Sequence, residues 1–292
     1  MGQLFDRFVA VDWSAASRPV TGADSIWIAV LDDGPFAEPV LANPRTRRLA
    51  ERALRDLHDP GLRTLVAVDA SLGYPAGTAA WFRLDGPAPW SATWTHVAGH
   101  LRDDDTNAND RFAFAAALNR RRGGDGPFWG CPRVTPIDGL AARKPATFPL
   151  PEFRRVEQRL RAAGRRPASG WQLLGAGSVG SQTLTLLPVL HRLVASATSA
   201  GGTVEVWPFT TGLTAPSVRP GTTVIAETWP TAYDLDLSGH PVRDAAQVAG
   251  VVRRLCDADR AGRLASWFAP DVAPDERRAA EREEGWVLSP RP

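Results

Sequence analysis

The sequence predicts an α/β protein with a mixed β-sheet flanked by helices. Apolar runs of strand length at residues 8–12, 64–69 and 222–227 are rich in β-branched side chains, which favours buried strands. Each of these runs ends in a carboxylic acid. Longer segments with apolar residues at helical spacing alternate with the runs, and this alternation is typical of a sheet that is covered by helices.

The opening of the chain predicts the order strand, strand, weaker strand, helix, strand. Residues 25–31 form the second strand, which ends in an Asp-Asp-Gly turn, and residues 38–42 form the third. Apolar residues at helical spacing predict a helix over residues 45–57, which Pro60 and Gly61 close. Hairpins followed by a helix and a return strand resemble the opening of the RNase-H architecture, in which the first strand lies beside the fourth. We therefore expect an RNase-H-like mixed sheet.

Residues 73–170 break this pattern after the fourth strand and are rich in Pro, Gly and Trp. Helices are predicted over 92–101 and 111–121, and a strongly basic one over 152–163. No Ser/Gly-rich linker is long enough to separate this stretch as a domain of its own. We therefore expect residues 1–292 to form a single domain, with 73–170 as a largely helical insertion or cap.

The GAGSVG segment at residues 175–180 precedes a predicted helix over 181–197 that contains Pro188. It matches the GxGxxG pattern of dinucleotide sites, but the apolar run before it is very short, and Glu205 lies further on than the usual spacing of about 20 residues. We favour a glycine-rich helix start that packs closely against the core or lines a cleft. The start of this helix, at Ser178, is suited to holding a phosphate group.

The rest of the chain predicts two strands, further helices and a short last strand. The strands are expected at residues 203–207 and 222–227, a helix at 242–255, helical pieces near Leu264 and Arg277, and the last strand at 286–288.

Composition and charge predict a cytoplasmic protein. Apolar residues make up 43% of the chain and charged residues 23%, which is ordinary for a soluble domain. Cys131 and Cys256 are far apart in sequence, which favours reduced thiols. We find no pattern of a secretion signal and no apolar run of membrane-spanning length, so we expect no membrane partner. The net charge of +2 is too small to require a nucleic-acid partner.

Carboxylates at the ends of apolar strands are the most informative chemical feature. Asp12, Asp69 and Glu227 each occupy this position. An ionised carboxylate at the edge of an apolar strand is costly unless a cation or a donor meets it. Ligands of α/β sheets gather at the carboxyl ends of the strands, where three acids would form a hard-oxygen site suited to Mg²⁺ or Mn²⁺. A single acid in this position would more simply cap a loop by accepting backbone N–H groups. Three acids in the same position favour a metal site.

Six segments carry a resemblance that runs through nearly the whole chain. They are VDWSAAS, VDASLGYP, NDRFAFAAALNRRRGGDGPFWGCP, WQLLGAGSVGSQTL, AETWP and REEGWVL. As a set they resemble a bacterial family, domain of unknown function 429, predicted to have an RNase-H nuclease fold; some members carry a cobalamin-biosynthesis label. The resemblance implies a divalent-metal site in which Asp12, Asp69 and Glu227 match strand acids. Asp244 fits best as a fourth acid near the start of a C-terminal helix, and Asp257 and Asp259 compete with it.

The leading functional hypothesis is a metal-dependent nuclease or phosphodiesterase that uses Mg²⁺ or Mn²⁺ at these acids. Arg111, Arg155 and Arg159, with Ser178, are the expected substrate-binding residues, because basic side chains near tryptophans suit a nucleic-acid backbone and its bases. A solvated helix face explains the arginines equally well. A phosphotransferase or ATPase on the same core, and a non-catalytic nucleic-acid or nucleotide-binding module, are the alternatives.

Overall fold

Six strands form one mixed β-sheet with helices packed against both faces, which confirms the predicted α/β class. The computed structural model describes residues 2–132, 134, 136–175, 178–199 and 202–290. In chain order, the strands are β1 (Arg7–Asp12), β2 (Trp27–Asp32), β3 (Val40–Ala42), β4 (Thr64–Asp69), β5 (Thr203–Val206) and β6 (Thr222–Glu227). Their order across the sheet is β3-β2-β1-β4-β6-β5.

The sheet combines an antiparallel half with a parallel half. β1, β2 and β3 pair antiparallel, whereas β1, β4, β6 and β5 pair parallel to one another. The strand predicted at 286–288 does not form, because β5 pairs with β6 as far as Ile225 and leaves only the end of β6 uncovered. Val287 makes an isolated bridge there to Glu227.

The predicted helices are present, and one short helix, α2, is additional. Pro188 does not split α6, which runs through it as one helix. Within the described residues, no helix combines the length and apolar character that crossing a membrane requires. The helices are α1 (Arg47–Asp56), α2 (Thr78–Phe82), α3 (Pro89–His100), α4 (Arg111–Arg120), α5 (Arg155–Ala162), α6 (Val179–Ser199), α7 (Arg243–Arg260), α8 (Leu264–Trp267) and α9 (Pro274–Ala279), with a 3₁₀ turn at Pro230–Ala232 and a π-helical turn at Ala280–Glu284.

The strands are apolar on both faces because each face is covered. Side chains alternate along β1, so that Val9 and Val11 belong to one buried cluster and Phe8 and Ala10 to the other. The first cluster also contains side chains of α1, α3, α4 and α6, and the second contains those of α7. Residues of the 73–170 segment thus share a core with β1 and β4, rather than having only a core of their own.

The π-helical turn fastens the segment after β4 to the start of α5. Glu283 accepts hydrogen bonds from the backbone N–H groups of Gly77 and Ala79, both at 2.6 Å. Glu284 accepts from the N–H groups of Ala76 at 2.9 Å and Arg155 at 2.6 Å. Because both acids are buried, these bonds satisfy carboxylates that would otherwise be costly. The turn therefore fixes both the chain that follows β4 and the start of α5.

Candidate active site

Asp12 and Asp69 are register partners at the carboxyl ends of β1 and β4. Both side chains line one cleft, with a volume of about 580 Å³, and Asp244 lines it too. Asp244 lies in the first turn of α7, where a negative charge is favoured by the helix dipole. Its Oδ2 accepts the backbone N–H of Asp24 at 2.8 Å, and Asp24 also faces the cleft. The structure thus brings together three of the four acids expected from the sequence.

The acids of this cleft repel one another, and no basic side chain among the described residues forms an ion pair with Asp12, Asp69 or Asp244. Burial, together with repulsion from Asp69, Asp244 and Asp24, raises the pKa of Asp12 to about 8. Burial, with repulsion from Glu227 and Asp244, raises the pKa of Asp69 to about 7. Over the described part of the chain, neither Asp12, Asp69 nor Asp244 forms an ion pair. A bound cation would relieve this repulsion directly.

The end of β1 is held in place by the first turns of α6. Trp13 is buried, and its Nε1 donates a hydrogen bond to Oγ1 of Thr185 at 3.2 Å. Gln182 Nε2 donates to the backbone oxygen of Trp13 at 2.6 Å. These two contacts fix the backbone that follows Asp12, so the position of its carboxylate does not depend on a free loop.

Glu227 is the predicted acid whose oxygens are already engaged by the protein. Its Oε1 and Oε2 accept hydrogen bonds from Nη2 and Nη1 of Arg154 at 2.5 and 2.7 Å. Oε2 also accepts the backbone N–H of Leu72 at 3.1 Å. Glu227 lines a second, smaller cavity of about 50 Å³, which Asp69 also lines. Asp69 therefore lies between the acidic cleft and the Arg154–Glu227 pair.

Arg111, at the start of α4, is a nearly buried cation on the wall of the acidic cleft. Its side chain donates to Ser181 Oγ at 2.8 Å, Ser17 Oγ at 2.9 Å and Asn109 Oδ1 at 2.8 Å, all of them neutral groups. Among the described residues no carboxylate forms an ion pair with it. Burial and repulsion from Arg47 lower its pKa to about 10, which still leaves it charged at neutral pH. Such an arginine is suited to binding an anion.

Arg155 and Arg159, the other two arginines expected to bind substrate, lie outside the cleft. Arg155 is 3.8 Å from Asp275, and Arg159 pairs with Glu276 at 2.7 Å. Their positive charge is thus directed at acids of the C-terminal segment, and their role in substrate binding stays a prediction. The sequence of an arginine-rich helix does not reveal which of its arginines form ion pairs with acids elsewhere in the protein.

Ser178 lines the cleft just before α6 begins. Ala176 and Gly177 of the GxGxxG segment lie outside the described residues. A Cβ on Gly180 would come within 2.5 Å of the carbonyl oxygen of Gly170, so a glycine is needed for α6 to approach this backbone. The close approach agrees with a glycine-rich helix start packed against the core.

Three residues of the site were not singled out by the sequence. Asp24 lies in the loop between β1 and β2 without the strand-end position that identified Asp12. Gln182 carries no signal in the sequence. Arg154 appeared there only as one of several arginines in a basic helix, and its burial depends on a partner 73 residues away.

Asp12, Asp69 and Asp244 supply hard oxygen ligands to the cleft. Within the residues that the structure describes, no group of three or more His, Cys, Asp or Glu side chains is close enough together to hold a metal ion. Comparison of the chain with protein-family models, with curated proteins and with solved structures finds no match in any of the three. The family resemblance therefore stays a prediction, and the site has to be interpreted from its own chemistry.

Proposed function

We propose that the protein is a metal-dependent hydrolase of phosphodiester bonds, a nuclease or a related phosphodiesterase. The observation that carries this proposal is the in-register pair Asp12 and Asp69 in a cleft that also contains Arg111. The carboxylates suit a cation, whereas the guanidinium suits an anion. A phosphate ester bound together with a divalent cation needs both in one place.

An RNase-H-like core is part of the same proposal. An antiparallel β3-β2-β1 half that continues into parallel β4 supports it, because the first and fourth strands are then neighbours that end at the same edge. The strand next to β4 is β6, and β5 forms the outer edge. The acids of β1 and β4 and the acid that opens α7 correspond to those implied by the resemblance to domain of unknown function 429.

The donor set fits Mg²⁺ or Mn²⁺. Asp12 and Asp69 supply carboxylate oxygens, the ligands that hard divalent ions prefer, and they lack a competing cation among the described residues. Mg²⁺ is commonly held by one or two carboxylates, with water and substrate phosphate completing its shell, so a full protein cage is not required. When bound, such an ion activates water and neutralises charge on the phosphate.

The other residues of the cleft bind and orient the substrate. Arg111 donates hydrogen bonds to a phosphate oxygen, and its contacts with Ser17, Ser181 and Asn109 hold the guanidinium plane in one direction. Ser178, which lines the cleft at the start of α6, donates to the same phosphate. The cleft volume of about 580 Å³ lies within the range of about 300–1,000 Å³ that is usual for small-ligand sites, which suits a nucleotide-sized part of a substrate.

Hydrolysis assays with an Asp12→Asn variant test the proposal. Single-stranded and double-stranded DNA and RNA, and bis(p-nitrophenyl) phosphate, are incubated with the full chain in Mg²⁺, Mn²⁺ or EDTA. We expect cleavage that requires the metal and is lost in Asp12→Asn. Asp32→Asn is the matched control, because Asp32 also ends a strand but pairs with Arg7 away from the cleft. Full activity in Asp12→Asn, or no metal-dependent cleavage of any substrate, contradicts the proposal.

A further inference from the structure

Arg154 is buried among acids and lines the same small cavity as Asp69. Its exposed fraction is 2%, and those of its partners Glu227 and Glu157 are 4% and 5%. It bonds Glu227 through both Nη atoms, at 2.7 and 2.5 Å. Its Nε donates to Glu157 Oε1 at 2.9 Å, and Nη1 also donates to the backbone oxygen of Glu284 at 2.8 Å. Every nitrogen of the guanidinium therefore has an acceptor.

This pairing leaves Glu227 poorly suited to binding a metal ion. Both of its oxygens face donors of the protein, and its Oε2 accepts from Leu72 as well as Arg154. A divalent ion held between Glu227 and Asp69 would also lie next to the guanidinium, where like charges repel strongly because little water screens them. Pulling Glu227 away from Arg154 would leave a buried charge with one partner fewer, which is costly.

We infer that Arg154 serves as the resident cation of Glu227, so that the site takes a single divalent ion, held by Asp12 and Asp69, instead of a pair of ions. The inference rests on the proposed metal-dependent function and adds the number of metal ions that each chain binds. Arg154 is a positioning residue: it pairs with Glu227 and Glu157 and fixes Glu227 with both of its oxygens occupied. Asp244 and Asp24 line the same cleft as Asp12 and Asp69.

Mn²⁺ alone is the probe that counts the ions. The full chain is stripped with EDTA and titrated with Mn²⁺ by calorimetry, while electron paramagnetic resonance follows the bound ion. We expect one Mn²⁺ per chain and the spectrum of an isolated ion. Two ions per chain, with a spectrum that shows coupling between them, would overturn this inference and leave the proposed function standing. No binding at all would overturn both.

Two variants distinguish a residue that binds the metal ion directly from one that only lies near it. Asp69→Asn is expected to weaken Mn²⁺ binding by more than about a hundredfold, because it removes a direct ligand. Glu227→Gln is expected to keep one ion with an affinity within about tenfold of the unchanged protein, which is the scale of an indirect effect. If Glu227→Gln loses the ion as completely as Asp69→Asn does, Glu227 is a ligand and the inference is wrong. The stoichiometry of the unchanged protein decides the question even if Glu227→Gln does not fold.

Discussion

Arg111 donates a hydrogen bond from Nε to Oγ of Ser181 at 2.8 Å, which joins the first residue of α4 to the first turn of α6. α4 belongs to the 73–170 segment, whereas α6 follows that segment in sequence and precedes β5. The 73–170 segment therefore supplies the one nearly buried cation on the wall of the acidic cleft, among the residues described. In the proposed function, this single side chain links substrate binding to the 73–170 segment.

Arg111→Met should weaken substrate binding. The substitution keeps the apolar stem but removes the guanidinium, and a hydrogen bond to a charged group contributes about 1.5–3 kcal/mol. We expect kcat/KM for a phosphodiester substrate to fall by about 10–100-fold, mainly through KM, with Arg111→Lys recovering part of the loss because it retains the charge. Steady-state kinetics of the two variants provide the measurement. An unchanged KM in Arg111→Met would show that Arg111 does not contact substrate.

Arg155→Met is the matched control for that experiment. The sequence assigned Arg155 the same role, but the side chain is 42% exposed and lies 3.8 Å from Asp275. Loss of an exposed pair has little effect, so kcat/KM should stay within about twofold of the unchanged protein. A larger loss of kcat/KM in Arg155→Met than in Arg111→Met would favour Arg155 as the substrate-binding residue.

Asp12→Asn should stabilise the metal-free protein at alkaline pH. The pKa of Asp12 rises from its ordinary value of 3.8 to about 8 in the folded chain, so the folded state holds the proton more tightly than the unfolded state. The contribution of Asp12 to the free energy of unfolding is therefore greatest below pH 3.8. This contribution is lost as the pH rises through about 8. Asparagine removes the charge, and we expect a gain of about 1–3 kcal/mol at the upper end of this window.

Urea unfolding in EDTA at pH 5 and at pH 8.5 measures this effect. The gain from Asp12→Asn should be larger at pH 8.5 than at pH 5, whereas Asp32→Asn should show no such increase because Asp32 pairs with Arg7. Equal effects at both pH values, or a loss of stability in Asp12→Asn at pH 8.5, would mean that the charge on Asp12 is compensated in the folded protein.

Mn²⁺ or Mg²⁺ should stabilise the folded chain. A ligand that binds only the folded state adds about 2.7 kcal/mol at a concentration of 100 times Kd. Thermal unfolding with increasing Mn²⁺ should therefore show a rising Tm, which EDTA reverses. In Asp69→Asn, Mn²⁺ should no longer raise the Tm, whereas in Asp32→Asn it should raise the Tm as in the unchanged protein. A rise of the same size in Asp69→Asn would place the stabilising ion somewhere else.

Glu283→Gln should destabilise the protein through the contacts of the π-helical turn. Its two carboxylate oxygens accept the N–H groups of Gly77 and Ala79 at 2.6 Å, and an amide offers only one acceptor oxygen. We expect a loss of about 1–3 kcal/mol in the free energy of unfolding, measured in urea. Glu38→Gln is the control: it breaks an exposed pair with Arg253 and should cost less than about 1 kcal/mol. Similar losses in both variants would contradict the role of the turn.

The strands and three of the acids were predictable because their signals are local. Covering both faces of the sheet makes β1, β4 and β6 continuous apolar runs, and a polar residue at the end of such a run is conspicuous. Asp12, Asp69 and Glu227 follow from this pattern alone, although the pattern does not show that Arg154 already pairs with Glu227. Asp244 required the resemblance to a family, because an acid in the first turn of a helix is also an ordinary helix-capping feature.

Arg154, Arg155 and Arg159 show what the sequence does not contain. They belong to one basic segment, yet Arg154 is buried against Glu227 while Arg155 and Arg159 pair with acids near the C-terminus. Each outcome depends on partners more than 70 residues away in sequence, which no local spacing encodes. For the same reason the strand expected at 286–288 is reduced to a single bridge: the edge it needed is covered by β5.

A crystal structure of the full chain soaked in Mn²⁺ and measured at the manganese edge tests the central claim most directly. The account predicts one anomalous peak, coordinated by the carboxylates of Asp12 and Asp69, with Glu227 still paired to Arg154. A peak that lies away from both aspartates, or no peak in a crystal saturated with Mn²⁺, would contradict it.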